Sequence, residues 1–181
     1  ADGRSEEVHS ALKVITQTTC DMARAVLDLG ADGIFFAAQS STYDFMTAEE
    51  YRRFGVPYDL EVLAAAEKGW MNTIHAHGTN IMFELLKDYP VQVFNWHAWE
   101  TLPAVDEAYV MTGKCLMGGL NRTDITQRNR GAIQHQIFEC YRMLGGRNQI
   151  LTPGCVIRYP LDKDTLTYVK SSDSGSYNGS S

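Results

Sequence analysis

His75 and His77 stand two residues apart in MNTIHAHG (71–78), and Gly78 follows directly. In an extended strand, residues i and i+2 project from the same face, so both imidazoles point one way. Gly78 lets the backbone turn sharply beside them. Neutral imidazole is a good zinc ligand, and a third ligand is normally Cys, His or a carboxylate. Cys155 is the candidate. It follows Thr152-Pro153-Gly154, and proline and glycine set a rigid turn that aims the thiol. Two histidines and one cysteine leave a tetrahedral position open, the pattern of catalytic rather than structural zinc. The same residues have other uses. Paired histidines also serve as hydrogen-bonded core residues or as acid–base groups without metal, and a lone cysteine is commonly a small buried hydrophobe.

Strands and helices must position these groups. Residues 5–29 carry Val8, Leu12, Ile15, Met22, Val26 and Leu29 at helical spacing. Ser5 stands as the N-terminal cap and Gly30 as the stop. GIFFAA (33–38) is an almost purely apolar run, as in a strand covered on both faces. Residues 47–69 are helical again, with Thr47 and Glu50 spaced as a capping box and an interruption near Pro57. MNTIHAH, VQVFNW, KCLMGGL and QILTPGC then read as strands. The helices between and after them are NIMFELLKDYP, LPAVDEAYVMTG, RGAIQHQIFECYRMLGG and LDKDTLTYVK. A helix followed by βα units implies an α/β fold with a parallel sheet. It is either an open doubly wound sheet or part of a (βα)8 barrel. The strand ends carry Gln39, His75 and His77, Asn95 to His97, Asn121 and Arg122, and Cys155. In parallel α/β folds the C-terminal strand ends hold the active site. No GxGxxG or P-loop follows any strand, so nucleotide binding has no support. Cys115 lies at the wrong end of its strand, while Cys20 and Cys140 lie within helices; all three read as core. His9 and His135 read as surface or packing residues of helices.

The bulk composition narrows the class. The 181 residues are 44% hydrophobic and 21% charged, with a formal net charge of −6. That suffices for one compact domain. An acidic chain is a poor nucleic-acid binder, since phosphate contacts need a basic face. Nothing is apolar for long enough to span a membrane, and no signal peptide is visible. The four cysteines form no CxxC pair, so a disulfide framework is not expected and a reducing cytoplasm is the natural setting. SSDSGSYNGSS (171–181) is Ser/Gly-rich and is expected to be a disordered tail beyond a domain over 1–170.

GADGIFFAAQ, TAEEYRRFGVPYDLEVL, IHAHG, VQVFNWH, LMGGLNR and ILTPGC, in this order and spacing, resemble the uroporphyrinogen decarboxylase superfamily over nearly the whole chain. The resemblance implies a (βα)8 TIM-type barrel, of which this chain would hold about the last five βα units. It also implies two activities. The methyltransferase branch places a zinc motif of the form His-x-Cys-Gly on one strand and a later cysteine in a Pro-Gly-Cys turn. Carried over, these are His75, His77 in place of the first cysteine, and Cys155, with Gly78, Pro153 and Gly154 also matching. The decarboxylase branch usually has a histidine where Cys155 stands, and a segment resembling LQGNLDP where this chain has LMGGLNR.

The leading expectation is therefore a zinc-dependent, methyltransferase-like enzyme. Zinc would activate a small thiol for methyl transfer from a corrinoid on a partner protein. Gln39, Asn95 and Arg122 would orient the acceptor or bind its anionic end, with strand-end capping as their alternative use. His97 would orient a ligand or partner, and Trp96 would pack. The second expectation is decarboxylation of a tetrapyrrole acetate, with Arg122 and Arg158 holding carboxylates. The third is a non-catalytic assembly module, since open strand edges invite association into a homo-oligomer.

Overall fold

The computed structural model describes residues 3–172. Five strands, β1 (Phe35–Ala38), β2 (Thr73–Ala76), β3 (Val93–Asn95), β4 (Cys115–Leu120) and β5 (Gln149–Pro153), form one sheet in sequence order. β1 pairs with β2 and β4 with β5, both in parallel. Eight helices accompany them among the described residues. These are α1 (Gly3–Asp28), α2 (Ala48–Phe54), α3 (Val56–Ala65), α4 (Phe83–Leu86), α5 (Val105–Thr112), α6 (Arg122–Thr126), α7 (Arg130–Leu144) and α8 (Lys163–Ser172). The expected α/β alternation with a parallel sheet is present. The chain divides into two compact units, one ending at Phe94 and the other starting at Asn95.

In the first unit the core gathers Leu63, Ile74, Met82, Leu86 and Phe94, each almost fully buried. α2 begins with the expected capping box. The Thr47 backbone N–H donates to Glu50 Oε2 at 2.7 Å, and the Glu50 N–H donates to Thr47 Oγ1 at 3.2 Å. Pro57 sits in the first turn of α3, where its missing N–H costs no hydrogen bond; the interruption is a helix start. Ser5, expected to cap α1, lies inside it, because the helix already runs from Gly3. Asn72, just before β2, is 1% exposed. Its side-chain oxygen accepts from the Ile34 N–H at 3.0 Å, and its amide donates to the carbonyls of Ala66 and Gly69. One side chain thus ties the entries of β1 and β2 to the end of α3. A side chain on Gly33 would overlap the Met71 backbone, and β1 starts at Phe35 rather than at residue 33.

In the second unit Leu120, Ile125, Ile133 and Ile137 form the core, with Leu151, Leu166 and Tyr168 packed on it. α6 was not foreseen. It is a single turn capped by Asn121, whose side chain accepts from the backbone N–H of Thr123 and Asp124. Conversely, the helix expected over NIMFELLKDYP contracts to the four residues of α4. Ser171 and Ser172, expected in the tail, belong to α8; residues 173–181 lie outside the described residues. Among the described residues no helix is long and apolar enough to cross a membrane.

Candidate metal centre

β2 is buried along its length and delivers His75 at its C-terminal end, 3% exposed. His77 follows beyond the strand. Nε2 of His75 lies 3.3 Å from Nδ1 of His77, and the rings meet edge to face at 5.5 Å between centroids. The two imidazoles face one another although His77 lies beyond the end of β2. Phe35, from β1, stacks on His75 at 5.6 Å and walls it on that side. Gly78 has φ +96°, a left-handed conformation that glycine adopts without penalty, so the chain turns away directly after His77. The loops after β1 and β2 are then stitched together. The Tyr43 N–H donates to the Asn80 carbonyl at 2.9 Å, and Thr42 Oγ1 donates to the same oxygen at 3.0 Å.

β3 ends at Asn95, where the second unit starts, and Trp96 and His97 follow directly; all three are buried. The Asn95 amide donates to the Met117 carbonyl on β4 at 2.6 Å. Trp96 donates its indole N–H to the Pro103 carbonyl at 3.1 Å, so it packs as expected. A Cβ placed on Gly154 would stand 2.7 Å from both the His97 Cα and the Trp96 carbonyl oxygen. Only glycine allows the end of β5 to pass so close to the end of β3, and Cys155 is the next residue. Nδ1 of His97 lies 3.5 Å from Glu100 Oε2, and the other carboxylate oxygen lies 3.8 Å from Arg122 Nε.

His75, His77, His97 and Cys155 are, among the described residues, the His, Cys, Asp or Glu group that could hold a metal ion. His75 and His77 are the pair expected from strand spacing, and Cys155 is the thiol expected from the turn after Thr152-Pro153-Gly154. His97, expected to support a ligand, offers a ring nitrogen of its own. Imidazole and thiolate are the donors that zinc prefers. The remaining expected residues are placed differently. Asn95 has its amide on β4. Gln39 is exposed and lines a cavity of about 360 Å³ with Tyr51, Tyr58, Asp59 and α1 side chains; neither His75 nor His77 lines it. Arg158 is exposed.

That cavity contains groups that sequence reasoning missed. Asp59 Oδ2 accepts from the phenols of Tyr51 and Tyr89, at 2.5 and 2.8 Å. Burial raises the Asp59 carboxyl above its ordinary range, against the lowering effect of those hydrogen bonds. Burial, followed by the Asp59 charge, pushes both phenols upward. The other cysteines behave as expected of packing residues. Burial raises the thiols of Cys20 and Cys115 and pushes Cys140 up to about 11. His9 stacks on Phe54 and lies 2.6 Å from the Tyr58 hydroxyl, and His135 is exposed.

The family model described as uroporphyrinogen decarboxylase (URO-D) matches residues 3–170. No curated protein matches the chain. Among solved structures, a methyltransferase from Methanosarcina mazei is similar, with a TM-score of 0.77 at 17% identity. The match covers 91% of this chain and 48% of that one, so the chain spans about half the length of its structural relative. At this identity the likeness is one of fold. The parallel five-stranded sheet with its helices is part of a (βα)8 barrel.

Proposed function

Because the chain belongs to the uroporphyrinogen decarboxylase family, we propose that it carries the zinc-binding half of a methyltransferase-like enzyme. The substrate class is a small thiol, and a corrinoid held by a partner protein is the methyl source. The observation behind this reading is the His75, His77, His97 and Cys155 group. When bound, the ion supplies a Lewis acid that keeps an acceptor sulfur as thiolate near neutral pH.

The chain's own residues do the rest. His75 and His77 offer neutral ring nitrogens from one strand end, and Cys155 offers a thiolate. Neutral imidazoles add no charge, so with Cys155 as the single thiolate of this group a bound dication would keep one net positive charge; the one-histidine, two-cysteine set of the resembled motif would leave none. An anionic sulfur is therefore more strongly attracted here. Phe35 stacks on the His75 ring and would fix its plane.

The test is metal content. The full chain is expected to hold stoichiometric zinc by elemental analysis, and His75→Ala and Cys155→Ala to lose it. A metal-free protein with full methyl-transfer activity would end this reading. The family description itself favours a second reading, decarboxylation of a tetrapyrrole acetate. That reading needs cationic side chains for the substrate carboxylates, and turnover of uroporphyrinogen by the complete protein would establish it.

A further inference from the structure

The cavity of about 360 Å³ between α1, the end of β1, α2 and α3 has no part in the functional reading so far. It belongs to the first unit alone. Its size lies at the lower end of small-molecule pockets, which run from roughly 300 to 1,000 Å³. The wall is mostly apolar, with Leu12 from α1, Val62 from α3 and the rings of Phe54 and Tyr58. Among the lining residues Asp59 is the one charged side chain, and no Lys or Arg accompanies it. Arg53, whose guanidinium lies 5.0 Å from the Phe54 ring centroid, gives its Nη2 to Ser5 on α1 at 2.6 Å. The two phenols that hold Asp59, those of Tyr51 and Tyr89, donate to the same oxygen, Oδ2. Oδ1 receives no hydrogen bond among the described residues. Thr16, on the α1 wall, is 4% exposed. Its hydroxyl also makes no hydrogen bond among the described residues, whereas Thr18 and Thr19 of the same helix each donate to the carbonyl four residues back.

We propose that this cavity is a binding site for a small primary alkylammonium ion, with Asp59 Oδ1 and Thr16 Oγ1 as the acceptors of its N–H groups. A carboxylate taken out of water is costly unless a cation pairs with it. Burial raises the Asp59 carboxyl, and no neighbouring cation offsets that. An ammonium group supplies the missing charge. It carries three N–H donors and no acceptor, which suits two oxygens that lack donors. Its alkyl body packs on Leu12 and Val62, and the faces of Phe54 and Tyr58 attract the cation through their ring quadrupoles. An anion would meet Asp59 with no cation to balance it, and a neutral alcohol would leave the carboxylate unpaired. Neither His75 nor His77 lines the cavity, so the site stands or falls independently of the proposed ion.

Proton NMR on the full chain, titrated with n-butylammonium chloride, tests this without any metal. The expected result is saturable binding, with cross-relaxation from the butyl protons to the rings of Phe54 and Tyr58. 1-Butanol, which has the same body and no charge, should bind roughly 10-fold more weakly, the difference between a charged and a neutral hydrogen bond. Asp59→Asn keeps the shape and removes the charge, and should weaken n-butylammonium binding roughly 10–100-fold. Thr16→Val removes only the hydroxyl and should cost about 3–10-fold. Absence of saturable binding, equal affinity for ammonium and alcohol, or an affinity that Thr16→Val leaves untouched overturns the proposal. If Asp59→Asn fails to fold, Thr16→Val and the ammonium-to-alcohol ratio of the unchanged chain still decide.

Discussion

His77 is where this chain departs from the motif it resembles, and the departure has a measurable consequence. His77→Cys should keep metal binding, because its neighbour His75 already presents a nitrogen to that position at 3.3 Å. With Co2+ as the probe, the sulfur-to-metal absorption of His77→Cys should be stronger than that of wild type, since two thiolates replace one. An absorption unchanged from wild type would mean that position 77 is not a ligand. The pair was legible in the sequence because strand alternation is a two-residue rule that needs no tertiary knowledge. The same rule links Asn95 and His97 at the end of β3 and could have flagged His97 as a donor. Nothing local marks Asp59 or Glu100. Asp59 becomes buried only when Tyr89, thirty residues away, reaches it, and Glu100 meets His97 and Arg122 only through a turn of the backbone.

At the scale of elements, a single amide carries much of the register. Asn72→Ala removes an acceptor from the Ile34 N–H and a donor from two α3-end carbonyls. Leaving buried polar groups unpaired costs on the order of 1–3 kcal/mol each. Chemical denaturation should show a loss of about 3 kcal/mol, well beyond the usual surface substitution. Asp59 governs how the α2–α3 pair responds to pH. Its carboxyl is raised in the fold above the ordinary 3.8, so the folded state binds its proton more tightly than the unfolded chain. Stability contributed by this group is therefore present at low pH and declines as pH rises from about 3.8 through the raised value. Asp59→Asn should remove that decline, read as the difference between the two proteins' unfolding free energies across acidic pH. An unchanged difference would place the carboxylate in water. The order of strands and long helices was readable because each has a repeating apolar pattern. α6 was not, since its five residues are too few to show a period, and its start is written only in the Asn121 cap.

At the scale of the whole molecule, the proposed ion would be held by the His75, His77, His97 and Cys155 group. Binding that favours the folded state raises stability by mass action, about 2.7 kcal/mol when free zinc is at 100 times its Kd. Thermal unfolding should therefore shift upward with zinc, and the shift should vanish in His75→Ala and in Cys155→Ala alike. A shift that survives both substitutions would place the metal elsewhere. α1 tells a different story about scale. Its apolar residues do recur at helical spacing, but Ile15, Met22 and Leu29 are more than 60% exposed while Thr16, Cys20 and Ala23 face α3. Periodicity in the sequence identifies a helix; it does not say which neighbours will cover each face.

The burial of three thiols has a practical side. Cys20, Cys115 and Cys140 are held protonated by their packing, and a protonated thiol is a poor nucleophile. Cys155 sits half-buried just beyond β5, and of the other three only Cys115 is as open, with its thiol pushed upward by burial. Mass spectrometry after brief carbamidomethylation, with and without zinc, would then read occupancy at one residue: the chain carries its own chemical gauge of whether the centre is filled.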